Sequence, residues 1–172
     1  IDPDVDTDLI TANYGNAGHT VSVLKNNGAG TFASRINYEA GSLPRSVFAS
    51  DFDLDGDEDL AVAHFGDYTV SILSNDGNGA FASKVDYPTS GKSTIVYVSD
   101  LDKDGDQDVA VDNGDSNTVA IFKNNGDGTF TTAADKATIG NAQPDFLFGV
   151  TNTFSYKGFD LLIFLQGSYG NQ

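Results

Sequence analysis

The sequence predicts an all-β protein. It reads as three repeats of about 49 residues, each a blade of four antiparallel strands of the β-propeller type, followed by a C-terminal β-hairpin segment. Three observations predict this. The stretch LKNNGAGTFAS at 24–34 returns as LSNDGNGAFAS at 73–83 and as FKNNGDGTFTT at 122–132, which sets Asn26, Asn75 and Asn124 at intervals of 49 residues. An acidic segment recurs with it: DPDVDTDLITA at 2–12, DFDLDGDEDLAVA at 51–63 and DLDKDGDQDVAV at 100–111. Between these, short apolar runs alternate with Gly, Asn and Asp, and none keeps a helical period. Four strands in a unit of this length describe a propeller blade or a related β-array, with an irregular β-sandwich as the plainer alternative.

The repeats divide the chain into 1–41, which lacks its first strand, 42–91, 92–141 and a C-terminal strand segment, 142–172. In the middle copy the strands are expected at Ser46–Ser50, Leu60–His64, Thr69–Ser74 and Phe81–Tyr87, where Val, Ile and aromatic residues concentrate. The NDGNG and NNGDG stretches supply the left-handed backbone positions for the turn from the third strand to the fourth.

Composition bounds the function. A net charge of −16, with only nine Lys and Arg, excludes a phosphate-binding surface and hence nucleic acid, and disfavours an anionic membrane. Nineteen Phe and Tyr residues suit a packed β-rich protein rather than a solvated acidic tail. With no cysteine there is no disulfide and no thiolate site, and the compartment stays open. No apolar run is long enough for a membrane-spanning helix. A chain starting at Ile1 without a leader is expected to be processed or a fragment.

The acidic loops carry the chemistry. Asp51, Asp53, Asp55 and Asp59 occupy positions 1, 3, 5 and 9 of a nine-residue loop, with Gly56 at the sharp turn and the Asp57 carbonyl available at position 7. Asp100, Asp102, Asp104 and Asp108, with Gly105 and Asp106, repeat the pattern. Carboxylates packed this closely repel one another or take up protons unless a cation binds them. Oxygen ligands at positions 1, 3 and 5 suit Ca²⁺, whose flexible shell accepts carboxylates and carbonyls, better than Mg²⁺. In the first copy Asp2, Asp4, Asp6 and Asp8 align with positions 3, 5, 7 and 9, but Val5 stands where the glycine is needed. That loop is read either as a third metal site or as a solvated acidic turn.

The two Asp loops, the DLAVA and DVAVD strands after them and the NNGDGTF-like turns resemble the FG-GAP/VCBS repeat family. Its blades form integrin-α-type propellers and occur in many bacterial surface proteins. The resemblance covers about residues 1–145. It implies propeller blades with calcium in the loop between first and second strands, in secreted or surface proteins with adhesive, ligand-binding or scaffolding roles. It names no ligand.

The tail PDFLFGVTNTFSYKGFDLLIFLQGSYGNQ at 144–172 has no Asp loop. It reads as strands Phe146–Tyr156 and Phe159–Gln166 joined at YKG, and resembles a hairpin from the barrel of TonB-dependent outer-membrane receptors. One hairpin cannot close a barrel, so receptor function and membrane insertion are not expected.

Propellers typically close with about four to eight blades, so three leave open blade edges. The first copy lacks a leading strand, while Pro144–Val150 aligns with Pro44–Ser50 as a spare one. A homo-oligomer or filament follows if Phe146–Val150 of one chain completes the first blade of the next. A piece of a longer propeller is the alternative.

No enzyme is expected. His19 and His64 sit in no nucleophile motif, the acidic pairs recur regularly where a catalytic pair is needed once, and the glycine turns lack the Lys-Ser/Thr of a phosphate loop. Carbohydrate binding is the rival reading, with Tyr14, Tyr68 and Tyr97 as stacking residues in a chain without Trp. The expectation is therefore a calcium-stabilised, secreted or cell-surface structural or adhesive protein, with a glycan or surface protein as its alternative ligand.

Overall fold

Glycine turns and alternating apolar runs give short antiparallel strands throughout. The computed structural model describes residues 1–4, 6–15 and 18–131, together with the backbone of 135–137, 146–156 and 159–169. None of these residues is helical. The first blade has three strands, β1 (Leu9–Ala12), β2 (Thr20–Leu24) and β3 (Ile36–Glu39). The second has four, β4 (Pro44–Ser50), β5 (Asp59–His64), β6 (Thr69–Leu73) and β7 (Val85–Pro88). The third repeats this with β8 (Ser93–Ser99), β9 (Asp108–Asn113), β10 (Thr118–Phe122) and β11 (Asp135–Ala137). Every pairing is antiparallel between sequence neighbours.

Three strand boundaries differ clearly from the sequence expectation. β4 starts at Pro44 rather than Ser46, and the last hairpin strand runs on from Gln166 to Tyr169. The fourth strand of the middle blade starts at Val85, not at Phe81. Phe81 instead makes a single bridge to Asn75, closing the glycine turn with Asp76 N–H to Ala80 O at 3.0 Å and Ala82 N–H to Ser74 O at 2.8 Å. Its apolar character serves packing between blades, not a strand. Phe32 and Phe130 make the same bridge to Asn26 and Asn124.

Residue alternation explains how the blades stack. Successive side chains of a strand point to opposite faces, and β5 is buried along its whole length because both of its faces are covered. Leu60 and Val62 pack toward the first blade, in a core with Val21, Ala40 and Leu73. Ala61 and Ala63 pack toward the third, in a larger core with Phe52, Val96, Val98, Val109, Val111, Phe122 and Phe130. Each fully buried Val or Leu contributes about 1.5–3 kcal/mol relative to exposure. Among the described residues Leu9 in β1 and Ile95 in β8 are exposed, as is Tyr97, whose ring stands edge-on to Phe48 of the middle blade at 6.2 Å.

The chain divides into two compact units, Ile1–Thr138 and Ile139–Gln172. The second holds β12 (Phe146–Tyr156) and β13 (Phe159–Tyr169), paired with each other along all eleven residues. Phe146–Val150, expected as a spare leading strand, here pairs with Leu165–Tyr169 in this hairpin. A short connection between two long apolar strands favours that local closure over a distant pairing. Pro144 lies outside the described residues.

Candidate metal centre

The acidic loops lie between the first and second strands of the second and third blades. Within each, side-chain acceptors satisfy the backbone amides of the loop. Asp53 takes the Asp55 N–H at 3.3 Å, Asp55 takes the Asp57 N–H at 2.9 Å, and Asp51 Oδ2 takes the Gly56 N–H at 3.0 Å. In the third blade Asp104 takes Asp106 N–H at 3.1 Å and Asp100 takes the N–H groups of Lys103 and Gly105 at 2.6 and 3.2 Å. These short-range bonds coil the loop. The coil needs left-handed backbone at positions 4 and 6, where Leu54 has φ 61° and Gly56 φ 96°. Lys103 and Gly105 repeat this at 68° and 105°. Glycine at position 6 was legible from sequence; the left-handed position 4, held by a non-glycine residue, was not.

The coil gathers three carboxylates. Oxygens of Asp51, Asp53 and Asp59 lie within 4.8 Å of one another, and those of Asp100, Asp102 and Asp108 do the same. Asp55 and Asp104 stand outside these groups and hold backbone amides. The position-7 side chains pack against the neighbouring glycine turn: a Cβ on Gly77 would lie 2.5 Å from Asp57 Oδ2, and one on Gly126 would lie 2.8 Å from Asp106 Oδ2. Only glycine allows that approach.

Asp59 and Asp108 at position 9 are buried and join loop to turn. Asp59 accepts Phe52 N–H at 3.1 Å and Asn75 N–H at 2.8 Å, one on each oxygen. Asp108 accepts Leu101 N–H at 2.9 Å and Asn124 N–H at 3.0 Å in the same way.

The electrostatics record the crowding. Burial, helped by the charges of Asp53 and Asp55, pushes the Asp59 carboxyl up to about 6. Asp53 is raised by desolvation, then by the Asp55 and Asp51 charges. Asp106 is raised by desolvation and by the four carboxylates around it. Crowding and burial therefore make these carboxyls give up their protons less readily than isolated ones, a cost that a counter-charge relieves. Asp51 Oδ1 is buried without a hydrogen-bond partner. The all-oxygen sets Asp51, Asp53 and Asp59, and Asp100, Asp102 and Asp108, fit a hard divalent cation, and the orphaned oxygen marks the first of them.

The first loop is built differently. Asp2 lies 3.3 Å from Lys25 Nζ, and although desolvation opposes it, this hydrogen bond and charge lower the Asp2 pKa. Asp4 accepts the Asp6 N–H at 3.0 Å, and Asp6 packs against Gly28. Asp8 accepts Asn26 N–H at 2.7 Å, as Asp59 and Asp108 do with their turns, and its Oδ2 is buried without a hydrogen-bond partner. Among the described residues these four do not gather three carboxylates within 4.8 Å. Lys123 faces Asp102 at 3.7 Å as Lys25 faces Asp2. The middle blade has Ser74 at that position, so among the described residues the Asp53 charge has no lysine beside it.

The turn asparagines have a role the sequence reading missed. Asn124 Nδ2 donates to Gln107 O at 3.2 Å within its own blade and to Phe52 O at 2.8 Å in the preceding blade's acidic loop. Asn75 Nδ2 repeats this, to Glu58 O at 3.1 Å and Ile1 O at 2.8 Å. Phe81 and Phe130 pack edge-on against Tyr38 and Tyr87 of the blade before, at 5.1 and 5.5 Å. Each interface thus joins the glycine turn of one blade to the acidic loop and last strand of its predecessor. The available signal was asparagine opening all three turns, where turn geometry alone does not demand it.

No nucleophilic array forms among the described residues. His64 is fully buried with Nδ1 3.3 Å from Thr69 Oγ1, Ser71 donates to Asp86, and His19 is exposed. Among the described residues no helix is long and apolar enough to cross a membrane. The family model of the FG-GAP-like repeat matches residues 1–62 and again 51–111, each match running from one acidic loop to the second strand of the next blade. No curated protein matches the chain.

Proposed function

The chain belongs to the FG-GAP-like repeat family, whose repeats are typical of extracellular and surface proteins, and we propose that it is a calcium-stabilised structural or adhesive protein of the cell exterior. The observation that carries this is the pair of three-carboxylate groups, each within 4.8 Å, at equivalent places in two blades. Calcium at each would convert mutual repulsion into ligation and pin the first strand to the second. Millimolar extracellular calcium saturates even weak loops of this kind.

The test is thermal unfolding of chelator-stripped protein against added Ca²⁺, with particle size followed on the same samples. Two sites each filled to about 100 times Kd contribute about 5 kcal/mol together. For a unit of this size that raises Tm by roughly 10–20 °C. Equal melting in chelator and in millimolar calcium would sink the metal reading.

A second reading, self-assembly, rests on exposed apolar residues of the end blades among those described, Leu9 and Phe32 in the first and Ile95 and Leu101 in the third. Head-to-tail stacking of copies, or addition of Phe146–Val150 to the three-stranded first blade, would generate a homo-oligomer or filament. Sedimentation of the intact chain beside one lacking residues 146–150 tests this. A monomer in both forms excludes it.

A further inference from the structure

Not everything at the blade interfaces follows from the repeat. Pro44 at the start of β4 pairs with His64 at the end of β5, so residues 45 and 65 lie at the end of the blades opposite the acidic loops. There, three blades contribute to one cluster. Phe65 of the second blade stands edge-on to Tyr14 of the first at 6.3 Å. The Arg45 guanidinium lies 5.3 Å from the Phe65 ring centre and 5.8 Å from that of Tyr14. Lys92 Nζ, from the third blade, lies 5.1 Å from the same Phe65 ring. Tyr14 is 57% exposed, so an aromatic surface remains open to solvent beside the Arg45 guanidinium, with Lys92 on the adjoining Phe65 ring.

Two features separate this cluster from ordinary packing. Among the described residues neither cation has a carboxylate at ion-pair distance, in a chain with 25 acidic residues and nine basic ones. The nearby carboxylates face backbone amides: Asp67 accepts Ser42 N–H at 2.6 Å and Asp115 accepts Lys92 N–H at 2.9 Å. The cluster is also not a requirement of the blade. At 49-residue spacing Thr94 stands for Arg45, Leu43 for Lys92 and Gly114 for Phe65.

We infer that this cluster is a binding site for an acidic saccharide, one carrying a uronate carboxylate. The carboxylate accepts from the Arg45 guanidinium, whose planar fork matches it, and from Lys92. The apolar face of the sugar ring lies on Tyr14. A sugar acid offers that pairing of flat apolar face and fixed carboxylate, which an extended acidic peptide does not. The acidic loops do not oppose it strongly. The six residues of β5 separate them from the cluster by about 17 Å, roughly two screening lengths at physiological salt. The site is independent of the calcium reading, since none of its residues is in an acidic loop.

The probe is a hexasaccharide of alternating glucuronate and N-acetylglucosamine, titrated calorimetrically into the full chain with and without calcium. Saturable binding of one hexasaccharide per chain is expected, weakened about tenfold or more by Arg45→Gln and several-fold by Tyr14→Ala. Both residues are exposed, and melting curves of the variants confirm folding; Lys92→Gln, from a different blade, decides if either variant melts early. No binding would overturn the proposal. So would equal binding of the carboxyl-reduced hexasaccharide or of hexaglutamate, or affinity unchanged by Arg45→Gln and Lys92→Gln.

Discussion

Replacing Asn124 by alanine isolates the bond that joins one blade to the next. Its side chain is 4% exposed and makes three hydrogen bonds, to Gln107 O, to Phe52 O and from Gly126 N–H. Asn26 is the internal control. It makes the equivalent intra-blade bonds, to Thr7 O at 3.1 Å and from Gly28 N–H at 3.1 Å, but none to a preceding blade, and it is only half-buried. Each ordinary hydrogen bond contributes about 1 kcal/mol net, and leaving a buried carbonyl unpaired costs about 1–3 kcal/mol more. Asn26→Ala should therefore cost about 1–2 kcal/mol and Asn124→Ala about 3–4 kcal/mol. The difference, near 2 kcal/mol, belongs to the Phe52 carbonyl and the surroundings that exclude water from it. Urea unfolding at saturating calcium, with the slopes compared to verify a common denatured state, measures both. Equal losses within about 0.5 kcal/mol would refute the inter-blade lock.

Three further outcomes follow. Asp53→Asn removes a charge crowded by Asp51 and Asp55, so it should raise stability in chelator by less than about 1 kcal/mol while reducing the gain from calcium, both read from paired melts. Phe52→Ala should cost about 3–5 kcal/mol, because the ring is fully buried against Phe130 at 5.4 Å. Leu101→Ala at the same loop position, 44% exposed, should cost under about 1 kcal/mol in the monomer. Burial, partly offset by nearby carboxylates, lowers the His64 pKa to about 4. Between pH 6.5 and about 4 the unfolded chain therefore takes up a proton that the folded chain refuses. Stability should fall by up to about 3 kcal/mol across that window as pH drops. The pH profile of His64→Asn, the residue type found at Asn113 in the third blade, should lack that component.

The acidic loops and glycine turns were readable because their chemistry is local. Asp51 to Asp59 coil through bonds between residues two to seven apart, and Gly77 and Gly126 take positive φ for reasons confined to their own turns. A spacing read along the chain captures such bonds. The start of the fourth strand was misread at Phe81 because an apolar residue after a hairpin turn looks the same whether it enters a sheet or packs on the next blade. Asn75 and Asn124 looked like turn residues because their decisive partners, Ile1 and Phe52, are 74 and 72 residues away. The cluster of Tyr14, Arg45, Phe65 and Lys92 has no sequence signature, since each blade supplies only part of it.

Sequence by itself determined the repeat, the all-β class, the family and the two acidic loops, because period-2 burial, turn glycines and repeated carboxylates are encoded within some ten residues of one another. Tertiary structure alone decided which faces of β5 meet which blade and why Phe52 is covered and Leu101 is not. Those outcomes depend on what the stacked neighbour places opposite each residue. That pairing is fixed only when separate blades compete to exclude the same water.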